Sequence, residues 1–300
     1  MRRLLVLVLV IAWALGSMPP VLSQPSNSGS QTFVQAARLL TVAQNEAGVV
    51  WAAWEVDIET DQEIFFSIWA DGNWSEPQPV LHRPTTWDHS PSLAVATDGN
   101  PWLAWSAVEK TQSDRASIYV SHWTGRQWAK PQQIPLSGIS RATEPSLAAG
   151  PDGSLWLAWV GFDGVDDEIF ASFWDGEAWS LPRQVSANDD DNPLYDRQPM
   201  VAVGHDNRPW IVWTGNEGIG DDEIFASQWT GVGWSAEQMV GQDDDLADAS
   251  PTLALDAEGT PHVAWKGWVA DTEQLGFRIL LSHLEPEGKS WAAEATASLT

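Results

Sequence analysis

Pro91-Ser92-Leu93-Ala94 returns as Pro145-Ser146-Leu147-Ala148, as Pro199-Met200-Val201-Ala202 and as Pro251-Thr252-Leu253-Ala254, at spacings of 54, 54 and 52 residues. A second block follows each: Trp102-Leu103-Ala104-Trp105, Trp156-Leu157-Ala158-Trp159, Trp210-Ile211-Val212-Trp213 and His262-Val263-Ala264-Trp265. Trp51-Ala52-Ala53-Trp54 belongs to the same set and marks an earlier copy that begins near Leu40. A third block reads Glu63-Ile64-Phe65, Ser117-Ile118-Tyr119, Glu168-Ile169-Phe170, Glu223-Ile224-Phe225 and Arg278-Ile279-Leu280. The fourth opens at Trp74, Trp128, Trp179, Trp234 and Trp291. Short apolar, β-branched and aromatic runs bounded by turn residues, with no helical period, are strands. Four strands per repeat at this period are the signature of propeller blades. The expected fold is therefore all-β: a single β-propeller of five four-stranded blades, near 38–90, 91–144, 145–198, 199–250 and 251–299.

Upstream of the repeats, Arg2 and Arg3 precede an apolar run from Leu4 to Gly16, and small residues follow up to Ser23. This is the pattern of a secretory signal peptide over 1–23, and the run is short for a membrane span. A secreted or periplasmic location follows. The polar stretch 24–36 is then either a flexible lead-in or a strand that helps close the ring, with the propeller over 37–300. There is no cysteine, so no disulfide braces the exported chain. Burial must hold it together. Of 21 tryptophans, Trp13 lies in the leader; eighteen of the rest fall on repeat positions, which assigns them to packing between blades. Each buried indole removes roughly 200 Å² from water, worth about 5 kcal/mol at most.

The hairpin between the third and fourth strands is the most specific local motif. It runs Ser67-Ile68-Trp69 to Trp74, Ser121-His122-Trp123-Thr124-Gly125 to Trp128, Ser172-Phe173-Trp174-Asp175-Gly176 to Trp179, and Ser227-Gln228-Trp229-Thr230-Gly231 to Trp234. It resembles the Asp-box hairpin of sialidase-type repeats, with Trp in place of the Asp and without the Thr. The resemblance covers about 38–299 and implies a sialidase-like propeller. The arginine triad, the nucleophilic Tyr–Glu pair and the acid/base Asp of sialidases have no counterpart at matching positions here. Tyr119 stands where Phe65, Phe170 and Phe225 stand, which makes it a core residue.

In such a ring, the loops joining strands one to two and three to four share one face. Those joining two to three, and blade to blade, share the other. The first set is short and uniform (Asp98-Gly99-Asn100, Asp152-Gly153-Ser154, Glu258-Gly259-Thr260); the second is long, varied and acidic. Long loops on a rigid scaffold are where binding is expected. Two tryptophans, Trp87 and Trp268, lie off the repeat on that face, as do Phe162 and Tyr195. Exposed rings can stack on a sugar while neighbouring carboxylates accept its hydroxyls. Trp87-Asp88-His89 and Tyr195-Asp196-Arg197 are accordingly the two candidate contact clusters, with Phe162 and Trp268 beside them. The aspartates Asp166, Asp167, Asp189, Asp190, Asp191, Asp221, Asp222, Asp243, Asp244 and Asp245 are candidate calcium ligands, since calcium takes several oxygens from such loops. Carboxylates that cap loop N–H groups are the structural alternative.

With 41 acidic against 15 basic residues, nucleic acid is excluded as a partner by repulsion. Three functions stay open: a non-catalytic module that binds an extracellular glycan or a surface protein, a glycoside hydrolase that uses a carboxylate pair, and a structural protein with calcium-stiffened loops.

Overall fold

A computed structural model describes residues 34–58, 61–81, 85–186, 195–218, 221–242, 246–270, 275–285 and 290–297. Every regular element among them is a strand, and the strands form five antiparallel blades, a five-bladed β-propeller. Blade 1 comprises Val34–Gln44, Val50–Ile58, Asp61–Ala70 and an outer strand split into Asn73–Trp74 and Gln78–Pro79. Blade 2 comprises Thr86–Val95, Pro101–Glu109, Gln112–His122 and Gln132–Gln133. Blade 3 comprises Arg141–Ala149, Leu155–Phe162, Asp167–Trp174 and Arg183–Gln184. Blade 4 comprises Arg197–Val203, Pro209–Gly218, Asp221–Gln228 and Gln238–Met239. Blade 5 comprises Asp248–Leu255, Pro261–Ala270, Leu275–His283 and Ala295–Thr296. Among the described residues no helix is long and apolar enough to cross a membrane.

Three details depart from the sequence reading. Residues 34–37 continue the inner strand of blade 1 instead of adding a separate one. Trp87 and Trp268, expected in loops, lie on strands that run further towards the loop face. The fourth strands are two-residue segments, and Trp128, Trp179, Trp234 and Trp291 each form an isolated bridge to the end of the third strand.

The core consists of the four joints between successive blades. Each joint packs the trailing face of one blade on the leading face of the next. Ala158, Ile169 and Ala171 of blade 3, for example, meet Val201, Ile211, Trp213 and Phe225 of blade 4. The other joints repeat this composition around Trp105, Trp159 and Trp265, which are at most 1% exposed. The hairpin tryptophans tighten the same joints from the short-turn face. Trp174 lies 5.4 Å from Trp102 of the preceding blade, and Trp229 lies 5.5 Å from Trp156. Each hairpin is locked by its serine, whose hydroxyl donates to a backbone carbonyl: Ser67 to Ser75, Ser121 to Ala129, Ser172 to Ser180, Ser227 to Ser235 and Ser282 to Ala292, at 2.7–2.9 Å.

Every inner strand carries a β-bulge at an equivalent position, and that of blade 1 has a second register shift between Val34 and Ala37. Leu39, Ser90, Glu144, Gln198 and Ser250 have φ between 50° and 57°, and the register slips by one residue across each of them. A non-glycine residue in the left-handed region is uncommon, and five at equivalent positions mark a built feature. Beyond the bulge, the inner strands tie adjacent blades. The amide of Leu93 donates to Thr41 Oγ1, that of Leu147 to Ser92 Oγ and that of Val201 to Ser146 Oγ, at 3.0–3.2 Å.

Candidate binding face

Upstream of each bulge the inner strand opens onto the loop-bearing face, and there the basic residues gather. Arg38 donates to Asp57 at 2.6 Å, Arg141 to both oxygens of Asp167 at 2.7 Å, and Arg197 to Asp222. Asp222 also accepts from Asn216 Nδ2 at 2.7 Å. Hydrogen bonds from Gln62 and then from Arg38 hold the Asp57 carboxyl below its usual range. His89 Nδ1 stands 3.3 Å from Glu55 Oε2, whose side chain is buried. The bulges are joined across blades as well: the Gln198 amide donates to Glu144 Oε2 and the Ser250 amide to Gln198 Oε1, both at 2.8 Å.

Aromatic rings lie beside these cations. The Arg197 guanidinium sits 4.9 Å from the centre of the Tyr195 ring, and Arg141 sits 5.6 Å from that of Phe162. A cation over a ring face fixes both groups. Tyr195 nevertheless stays 45% exposed. Trp87 and Phe162 are half-buried. Trp268 is half-buried too and packs on Phe277 at 4.2 Å. These rings come from blades 2, 3, 4 and 5, all on the loop-bearing face.

The acidic members of the two clusters sit deeper than the sequence suggests. Asp88 is 2% exposed and accepts from Thr86 Oγ1 at 3.1 Å. Asp196 enters the joint between blades 3 and 4, where its carboxyl hydrogen-bonds to Glu168. Ser186 Oγ accepts from the Ile169 amide at 2.9 Å and donates its one proton to Glu168. A bond between the two carboxyls therefore needs a proton on one of them. Burial, opposed by the hydrogen bonds from Ser186 and Asp196, raises Glu168 to about 7; burial and then the charge of Glu168, opposed by a hydrogen bond from Ser186, raise Asp196 to about 8. Asp163 and Asp166 face Glu168, and Glu237 faces Asp196, in the same upward direction.

The calcium candidates divide. Asp167 and Asp222 are engaged by Arg141 and Arg197, and Asp166 joins a tight loop in which its amide donates to Asp163 Oδ1 at 3.3 Å. Asp221 begins a strand, and its side chain lies outside the described residues, as do Asp189, Asp190, Asp191, Asp243, Asp244 and Asp245. Among the described residues no group of three His, Asp or Glu side chains is placed to hold a metal ion. Arg38, Arg141, Glu55 and Glu168 escaped the sequence reading. The usable signal was the pairing of an inner-strand arginine with an aspartate on the second or third strand of its own blade.

No family model and no curated protein matches the chain. Solved structures do. A protein of unknown function from Dyadobacter fermentans is 14% identical over 87% of this chain and 83% of its own, with a TM-score of 0.66. A Hadza microbial sialidase is 12% identical over 88% of this chain and 59% of its own, with a TM-score of 0.60. An α-L-arabinanase of Penicillium chrysogenum, solved with arabinobiose, is 14% identical over 89% and 82%, with a TM-score of 0.58. At such identities the likeness is one of fold, and the chain spans about three-fifths of the sialidase's length.

Proposed function

We propose that this protein is an exported carbohydrate-binding propeller that holds a glycan on its loop-bearing face without cleaving it. The observation that carries the reading is the exposed Tyr195 ring, fixed by Arg197, which is itself tied to Asp222. A rigid half-open ring beside anchored polar groups suits the apolar face of a sugar. Trp87 and Phe162 offer further ring edges on the neighbouring blades. The fold likeness to an arabinanase and a sialidase agrees with a carbohydrate ligand. For hydrolysis, two carboxyls would face each other across a sugar, about 5 Å or roughly 6.5–9.5 Å apart. Glu168 and Asp196, the two raised carboxyls, are instead bonded to one another between blades.

The test is a glycan array probed with the wild type and with Tyr195→Ala. Selective binding that the substitution abolishes supports the proposal. Binding that survives it moves the site elsewhere, and release of reducing sugar from a bound glycan would replace binding with hydrolysis.

A further inference from the structure

Each of the four joints has a trailing half and a leading half, and the chain holds one further copy of each, whose outermost apolar side chains are exposed. On the trailing side, Ile64, Ile118, Ile169 and Ile224 are at most 2% exposed, whereas Ile279 of blade 5 is 43% exposed. Phe66, Val120, Ala171 and Ala226 are buried, whereas Leu281 at the same position is 40% exposed. On the leading side, Leu93, Leu147 and Val201 are buried, but Val42 of blade 1 is 59% exposed. Trp54 is half-buried where Trp105, Trp159, Trp213 and Trp265 are fully buried. Hairpin Trp74 is 51% exposed where Trp128 and Trp179 are buried.

Both faces are exposed in one and the same chain, so among the described residues blade 5 does not cover Val42 and Trp74 of blade 1. A partner for the blade 5 face must present a leading face of this repeat, and a second copy has one uncovered. We propose that the protein associates head to tail, with the trailing face of blade 5 docked on the leading face of blade 1 of another copy. The contact reproduces a joint the chain already makes four times. Ile279 and Leu281 would cover the second copy's Val42 and Trp54, as Ile169 and Ala171 lie in one cluster with Val201 and Trp213. Thr252 stands where Thr41, Ser92 and Ser146 accept an amide from the next blade, and would accept that of Val42. The second copy's Trp74 would lie on the stacked His262–His283 pair, whose rings are 5.4 Å apart, as Trp234 lies 5.9 Å from Trp156. A heterologous contact of this kind repeats from copy to copy, closing only if its rotation allows.

The chain has no cysteine, which makes the test direct. Ile279→Cys and Val42→Cys proteins are prepared separately, then oxidised alone and mixed. Disulfide-linked dimers that form in the mixture well beyond either protein alone support the proposal. So does a light-scattering mass that rises with concentration from one chain to two or more and returns to one in Leu281→Asp. A mass of one chain at every concentration overturns it. So does a doubly substituted chain that closes its disulfide within itself at high dilution, which would place both faces in one ring. Thermal melts of dilute Leu281→Asp show whether the monomer stays folded, and Val42→Asp gives a second, independent loss from the other face.

Discussion

Asp196, at the entry to blade 4, hydrogen-bonds to Glu168 of blade 3 across the joint that separates them. The pair makes stability depend on pH. Both carboxyls are raised in the folded state, from 4.5 to about 7 and from 3.8 to about 8. Folding therefore takes up protons between the unfolded and folded values, and stability falls with rising pH over that range. The contribution is complete below about pH 4 and lost as pH passes 7 to 8. Calorimetry at pH 6 and pH 9 should show a melting temperature lower by on the order of 5 °C at the higher pH. Asp196→Asn keeps a donor towards Glu168 without a titrating proton and should flatten the difference.

The two inner-strand arginines of blades 3 and 4 should respond unequally to removal. Arg141 and Asp167 are both substantially exposed, and Arg141→Met should cost only about 0.5–1 kcal/mol. Asp222 is 8% exposed, so Arg197→Met leaves a largely buried carboxylate held by Asn216 alone. That variant should lose about 1–3 kcal/mol, measured by urea titration.

Tryptophans at one repeat position should differ in worth according to whether a preceding blade covers them. Trp159→Ala empties a fully buried site and should cost about 3–5 kcal/mol. Trp54→Ala, at the matching half-buried position of blade 1, should cost clearly less in dilute protein. Equal losses would show that blade 1 is covered in solution.

The hairpin serines supply a fourth measurement. Ser172→Ala removes the hydroxyl that reaches the Ser180 carbonyl at 2.7 Å in a site 1% exposed. A loss of about 1–2 kcal/mol is expected, with the blade otherwise intact. Ser227→Ala should give the same value, because its bond repeats the geometry.

The architecture was legible because a propeller is a periodic object: the Pro-x-x-Ala block recurs in blades 2 to 5 and the Trp-x-x-Trp block in blades 1 to 4, and short turns bracket them. The candidate site was not, because its logic runs between repeats. Asp88 and Asp196 read as polar residues beside aromatic rings, yet Asp88 is buried and Asp196 reaches Glu168 of the preceding blade. A comparison of neighbouring repeats carries the hint. Glu63 precedes Asp88, Glu168 precedes Asp196 and Glu223 precedes Asp248, whereas the remaining joint has Ser117 and Ala142 in the two places. The acids come as a pair or not at all. Arg141 was missed for a different reason: it occupies the place of Tyr195 in the next blade, so a search for arginines at one shared position passes over it.

The five bulges bear on how such a protein can change over generations. Below each one, the inner strand is committed to its neighbours through the joint core and the Thr41, Ser92 and Ser146 bonds. Above it, the extra residue shifts the strand's register and turns the side chains at Arg38, His89, Thr143, Arg197 and Ala249 to the open face. Five blades already carry four chemistries there: guanidinium, imidazole, hydroxyl and methyl. The open-face side chains can thus change one blade at a time while the scaffold stays under separate selection. A library randomised at Arg38, His89, Thr143 and Ala249, with Arg197 kept to hold the buried Asp222, should yield folded members at high frequency.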